Sequence, residues 1–228
     1  MKSITKGIRV SKKKSLREEV YESLRKSILH GKLKAGQRLI EEQLANQTGI
    51  SRTPVREAFH KLERDDLVSR LPKGGFAVRE FTKEDVEEIF GIRYALESYA
   101  AYLATLHITP EGISTLEKKV DESERALENG NEDKAVHLQT EFHDFLYKSC
   151  KSKKLIDMIN CYRDYFYRYR PPLLHMESGM RAGIEDHRRM LEAMKKKNPR
   201  LVETLVRKHM ERGKALILKE VDEGRMAP

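Results

Sequence analysis

The chain has 228 residues, 39% hydrophobic and 36% charged, with two cysteines and a net charge of +9. No apolar run approaches the ~20 residues of a membrane span, and the basic start MKSITKGIRVSKKKS lacks the apolar segment of a secretory signal. Cys150 and Cys161 show neither CxxC nor zinc-knuckle spacing, which points to reduced thiols in the cytoplasm and away from a disulfide framework.

The charge is unevenly placed. Residues 1–80 hold 19 Lys+Arg against 10 Asp+Glu, while residues 81–228 hold 26 of each, so the whole excess lies in the first third. This divides the chain into two domains, the first with a polyanionic partner. Lys12, Lys13 and Lys14 supply only a third of the excess, so a solubilising tail does not account for it.

Residues 1–14 read as a flexible basic arm. Leu16, Val20, Leu24, Ile28 and Leu29 then form one helical stripe, opened by Ser15 with Glu18 three residues on and stopped by Gly31. A turn follows around Gly36, then a short helix, IEEQLANQTG, ending at Gly49. The next helix starts at Ser51 or Thr53, because Pro54 is tolerated only in a first turn. Val55, Phe59 and Leu62 form its inward stripe beside Ala58, and Arg52, Arg56 and His60 point elsewhere. LVSRLPKGGFAV changes to a short hairpin with Lys73, Gly74 and Gly75 at its tip.

Residues 15–80 therefore read helix, helix, turn, helix, hairpin: a winged helix-turn-helix. In that motif the second helix enters the DNA major groove N-terminus first. This explains two arginines in the first turn of a helix whose back is built for burial. Guanidiniums pair bidentately with guanine or phosphate, and the wing and arm add backbone contacts. A lone RxxxR is ordinarily a pair of solvated charges; the turn, the hairpin and the charge asymmetry are what favour DNA.

From Phe81 on, long amphipathic helices follow one another. They start at Thr82 (with Asp85 as capping partner), Thr109-Pro110, Asn131, Ser152, about Ser178, and Pro199. The helix from Ser152 is expected to run to Pro171-Pro172. Residues 81–228 read as an all-α antiparallel helical bundle, making the protein mainly α. His143, His187 and His209 fall on three of these helices, with no motif spacing to link them. Tyr162, Tyr165, Phe166, Tyr167 and Tyr169 cluster in one helix and read as core or interface.

The run GQRLIEEQLANQTGISRTPVREAFHKLERDDLV with the wing PKGGFAV resembles the winged-helix domain of the GntR family of bacterial transcription regulators. IRYALESYAA, FHDFL, EDHRRMLEAM and VRKHMERG resemble the FCD effector-binding domain of its FadR subfamily. The resemblance spans about Ser15 to Lys219 and implies a cytoplasmic, homodimeric DNA-binding regulator, expected to be a repressor relieved by its effector. It also implies a palindromic operator in double-stranded DNA and no membrane partner. Carried onto matching positions, Ser51, Arg52, Thr53 and Arg56, with Lys73, Gly74 and Gly75 in the wing, would contact DNA. Some relatives carry an additional DNA-contacting Arg on the preceding helix; here that position is Glu42, so the contact is expected to be absent.

Many FCD domains hold a metal with three histidines and an Asp or Asn four residues before the first. Here His143, His187 and His209 match, and Gln139 stands in the fourth position. Gln139 and His143 share a helix face, and an amide oxygen is a neutral, weaker ligand than a carboxylate. The expected cofactor is a divalent ion, zinc or nickel foremost and manganese third, holding a small carboxylate effector. Arg93 is the expected effector-binding residue, its alternative being a surface ion pair with Glu97; His137 and His175 are expected at the surface. Two other readings are a metal-independent regulator binding an apolar or acyl effector and, less favoured, a metal-dependent enzyme. Glu141 and Asp144 flank His143 but point away from it, and an enzyme leaves the basic first third unexplained. A nucleoid-type DNA binder would have no use for so large a neutral bundle.

Overall fold

The computed structural model describes residues 15–166 and 177–223, which separate into two compact units at Glu80/Phe81. The arm at 1–14, Tyr167, Tyr169, the Pro171-Pro172 stop and His175 lie outside the described residues.

In the first unit, α1 (Leu16–Leu29) begins at Ser15, whose hydroxyl accepts from the Glu18 amide at 3.3 Å. α2 (Glu41–Thr48) ends at Gly49 in the left-handed conformation, φ 68°, which a residue with a Cβ would adopt only with strain. α3 (Arg52–Arg64) follows after two residues with Ser51 as N-cap, which decides between the two expected starts and leaves Pro54 in the first turn. Val55, Ala58, Phe59 and Leu62 are all buried, as the stripe requires.

The wing contains one strand more than the hairpin expected from sequence. β2 (Val68–Arg70) and β3 (Phe76–Val78) pair antiparallel, Ser69 opposite Ala77. β1 (Arg38–Leu39) adds to the other edge of β3, Leu39 opposite Phe76. Two residues are too few to show strand alternation, so this segment read as a turn. Phe76 stacks on Phe59 with ring centroids 5.1 Å apart, fastening the wing to α3. Such large apolar side chains contribute roughly 1.5–3 kcal/mol each on burial. Tyr21 fastens α1 to the end of α3, its hydroxyl donating to Asp65 while the Lys61 ammonium sits 3.7 Å from its ring centroid.

The second unit holds α4 (Lys83–His107), α5 (Pro110–Glu128), α6 (Glu132–Lys148), α7 (Lys153–Phe166), α8 (Glu177–Lys195) and α9 (Pro199–Asp222). α4 opens with a complete reciprocal capping box between Thr82 and Asp85. Pro110 and Pro199 stand in the first turns of α5 and α9, where the missing amide hydrogen costs nothing. α9 runs antiparallel to α4: Lys83 pairs with Asp222 at one end, and the Arg200 guanidinium lies 5.1 Å from the Tyr102 ring at the other. α5 packs between α6 and α8, Ser123 donating to the Ala135 carbonyl and Arg188 reaching Asp121 and Glu124. The core gathers Phe142, Leu146, Leu116, Ile159, Met190, Val206 and Ile217. Among the described residues no helix is long and apolar enough to cross a membrane. Cys150 is buried and Cys161 exposed, and no disulfide joins the described residues.

Candidate functional site

Two groups of residues stand out, one in each unit. In the first, Ser51, Arg52, Thr53 and Arg56 all lie exposed at the N-terminal end of α3, opposite its buried stripe. The helix carries no acidic residue in its first turn, so nothing there offsets the positive end of its dipole. Arg52 pairs with Glu42 of α2 at 2.7 Å, both side chains well exposed. Such a pair contributes little in water and opens readily. In the wing, Lys73 is exposed, and Gly74 and Gly75 hold φ of 83° and 82°. A Cβ on Gly75 would stand 3.0 Å from the Leu39 carbonyl oxygen, so both conformation and contact call for glycine there. Arg38 donates to the Gly74 carbonyl at 3.2 Å, which steadies the tip from β1.

In the second unit, α6, α8 and α9 bring His143, His187 and His209 together, one ligand nitrogen of each within 4.8 Å of the others. His143 Nε2 and His187 Nε2 face each other at 3.0 Å. Phe142 stacks on His187 at 4.3 Å and holds its plane. Burial, then the neighbouring imidazoles, pushes His143 and His187 well below the ordinary histidine range; Arg163 and Arg93 push His143 further the same way. Both rings are therefore neutral at pH 7, the form that ligates metal.

Hydrogen bonds fix which nitrogen of two rings is available. Tyr147 donates its hydroxyl to Glu97 Oε2 at 2.6 Å; burial, then the Glu97 carboxylate, raises the phenol far above its ordinary range and keeps it protonated. Its oxygen is thus an acceptor for His143 Nδ1–H, 3.2 Å away, which leaves the His143 Nε2 lone pair facing inward. At His209 the acceptor is Asp186, whose Oδ2 lies 3.1 Å from Nδ1 and is also held by Arg212. Oxygen acceptors behind the imidazoles are the usual outer support of a metal-binding histidine. Two nitrogens about 2.1 Å from one ion at a right angle stand ~3 Å apart, so the donor set present fits a divalent ion.

Gln139, one turn before His143, turns its Oε1 toward Gly183 of α8, 2.6 Å from where a Cβ on that glycine would stand. Its Nε2 is buried and finds no hydrogen-bond partner among the described residues. A half-turn of the amide exchanges oxygen and nitrogen at almost no other change.

Arg93 and Glu97 do form the i,i+4 pair that was the alternative reading, Nε to Oε1 at 2.6 Å. The pair is not on the surface, however: the side chains are 9% and 2% exposed. Glu97 is shared between Arg93 and Tyr147, which joins α4 to α6 behind His143. Arg163 of α7 approaches the Tyr147 ring and pairs with Asp144. Tyr147, Asp186, Arg163 and Gly183 were not singled out as site residues from sequence. Tyr147 had a signal, lying four residues after His143 on one helix face; Asp186 had none, since it sits next to His187 but serves His209. His137 is exposed, as expected.

The geometry agrees with the comparisons to known proteins. Residues 16–78 match the gntR family of bacterial regulatory proteins, and residues 88–212 match the FCD domain. The HTH-type transcriptional regulator YdhC of Bacillus subtilis (strain 168) is 36% identical over 183 residues, covering 79% of this chain and 81% of YdhC. McbR of Escherichia coli (strain K12) is 32% identical over 189 residues, covering 81% and 84%. The solved structure of E. coli McbR/YncC superposes with a TM-score of 0.68 at 28% identity, over 91% of this chain and 99% of that one. The E. coli repressor RspR is 26% identical over 85% of each chain. The chain therefore belongs to the GntR family, with a winged helix-turn-helix followed by an FCD domain, and is a DNA-binding transcriptional regulator.

Proposed function

We propose that the protein is a cytoplasmic, homodimeric repressor whose grip on a palindromic operator is set by a small carboxylate bound at a divalent metal in the helical unit. Residues 15–80 read DNA through Ser51, Arg52, Thr53 and Arg56, with Lys73, Gly74 and Gly75 against the backbone. Residues 81–228 bind effector and partner. His143, His187 and His209 hold the ion, and Gln139 completes the set through its amide oxygen after the half-turn. The ion, zinc or nickel before manganese, supplies open positions for carboxylate oxygens. Arg93 stands behind His143 to orient the anion.

The observation that carries this reading is the charge of the donor set. His143 and His187 are held neutral and Gln139 is an amide, while Arg93 and Arg163 are balanced by Glu97 and Asp144. A divalent ion here gains no compensating charge from its ligands, and an anionic effector supplies it. The polar surroundings of His143 speak against an acyl chain. The nearby acids also favour binding over turnover: Glu141 pairs with Lys119, Asp144 with Arg163, and Asp186 with His209 and Arg212. Effector binding then shifts a pre-existing equilibrium between DNA-competent and DNA-incompetent forms.

The test is elemental analysis of wild type and His143→Ala, dialysed without chelator, beside operator binding by fluorescence anisotropy over a panel of small mono- and dicarboxylates. Near-stoichiometric metal in wild type alone, with operator release by one class of carboxylate, is expected. Absence of metal in both after add-back would remove the metal and leave the DNA-binding function standing.

A further inference from the structure

Arg52 and Arg56 stand one turn apart on the exposed side of α3, but their surroundings differ. Arg56 makes no ion pair among the described residues. Arg52 Nη2 meets Glu42 Oε1 at 2.7 Å, which joins the first turn of α3 to the first turn of α2. A carboxylate on a surface that meets phosphate weakens the attraction to every duplex alike, whatever its sequence. The end of α2 does not call for it, because Glu41 in the same turn already complements the helix dipole.

The pair is neutral as a whole, so it releases few counterions and adds little affinity for DNA of arbitrary sequence. What it offers is a pattern. A guanidinium carries its N–H donors in a rigid planar fork, so a carboxylate on Nη2 restrains the whole group and leaves the other donors open. Glu42 keeps a second carboxylate oxygen with no partner among the described residues. The pair therefore presents donor, donor, acceptor in sequence. A G·C pair in the major groove presents acceptor, acceptor, donor: guanine N7 and O6, then cytosine N4–H. An A·T pair presents acceptor, donor, acceptor, which sets adenine N6–H against an arginine donor and thymine O4 against the carboxylate. In water the ion pair opens readily, but in a groove from which water is displaced the same charges attract more strongly.

We propose that Glu42 is a positioning residue for Arg52, and that the two side chains together read one G·C base pair in each half of the operator. The proposal rests on the DNA-reading role given to α3 above. It separates the tasks of the two arginines: Arg52 discriminates at that base pair, while Arg56, its charge uncompensated, carries attraction to any sequence.

In vitro selection from a random duplex library with the full chain supplies the operator. Anisotropy titrations then compare it with versions in which each G·C pair of one half-site is replaced by A·T, and with random duplex. In wild type one such replacement is expected to weaken binding about 5–150-fold, the value of a bidentate base contact. Glu42→Ala is expected to abolish most of that penalty and no other. It should also tighten random duplex several-fold and steepen the log–log salt dependence by about one per protomer, as Arg52 turns to phosphate. Helix content by circular dichroism stays unchanged because both side chains are well exposed. In an Arg52→Ala background the penalty is already lost, and Glu42→Ala removes nothing further. Glu41→Ala leaves the pattern of penalties intact. Equal tightening of operator and random duplex by Glu42→Ala, with every penalty retained, overturns the role of Glu42 and leaves the DNA-reading helix standing. The same loss of discrimination from Glu41→Ala overturns it as well, since the charge of the helix end would then be responsible. A wild type that selects no sequence overturns the DNA-reading role itself and, with it, this proposal.

Discussion

Replacing Tyr147 by Phe removes one oxygen and leaves the ring, so no cavity opens and the core packing of α6 is unchanged. Two interactions are lost. The Glu97 carboxylate loses its 2.6 Å donor, retaining Arg93 on its other oxygen, and His143 Nδ1–H loses the acceptor at 3.2 Å that fixes its tautomer. A hydrogen bond to a buried carboxylate contributes about 1.5–3 kcal/mol. For a domain of this size, at about 2–4 °C per kcal/mol, that corresponds to a fall in Tm of roughly 3–12 °C in metal-free protein. The second loss acts on the ion: removing an oxygen support behind a ligating histidine typically weakens metal affinity ~10–100-fold. The assay is a competition titration against a chromophoric zinc chelator, run beside thermal melts of the stripped protein. A fall in Tm with metal affinity within twofold of wild type would refute the assigned role, because Tyr147 would then stabilise the fold without orienting His143.

Other outcomes follow from the same geometry. Arg56→Ala is expected to cost about 1–3 kcal/mol in operator binding, and Glu42→Ala, by releasing Arg52 from its ion pair, to tighten binding most at low salt; salt-dependent anisotropy titrations read both. Gly183→Ala places a methyl 2.6 Å from Gln139 Oε1, the movable end of a long side chain. Stability should hold, or rise by up to ~1 kcal/mol from helix propensity, while metal affinity falls several-fold; unchanged affinity would show that Gln139 is not part of the site. Because folding holds His143 and His187 below their unfolded value, the unfolded chain takes up protons first as pH falls through about 6.5. The stability of the metal-stripped protein is therefore full above that pH and declines below it, and His187→Gln should flatten the decline in Tm measured between pH 7.5 and 5.

The order of helices and the wing could be read from the chain because their signals are local. Pro54, Pro110 and Pro199 each mark a first turn, Gly49 an end, and Thr82 with Asp85 a capped start. β1 escaped because Arg38 and Leu39 are a strand only by virtue of Phe76 and Ala77, residues far along the chain. The histidines illustrate the same limit at the site. Their separations say nothing about proximity, and only the likeness to a family joined them; in space they meet because α6, α8 and α9 pack together. Arg93 and Glu97 were open to misreading for a different reason. An i,i+4 pair on a helix is usually a solvated one, and what marks this pair as internal is the lack of any other charge from Ile89 to Leu106.

Glu97 has a further consequence. It belongs to α4, a rod of 25 residues, some 38 Å long at ~1.5 Å per residue. On its inner side the rod is joined to the histidine cluster by hydrogen bonds, through Glu97, Tyr147 and His143 in turn. Its first residue, Lys83, follows the last wing strand after only four intervening residues. On the proposed reading, an effector that shifts α4 also shifts Lys83, the residue at which the chain leaving the wing enters the helix. The residue that ends the hydrogen-bond path from the histidines and the residue that follows the wing thus belong to one continuous helix.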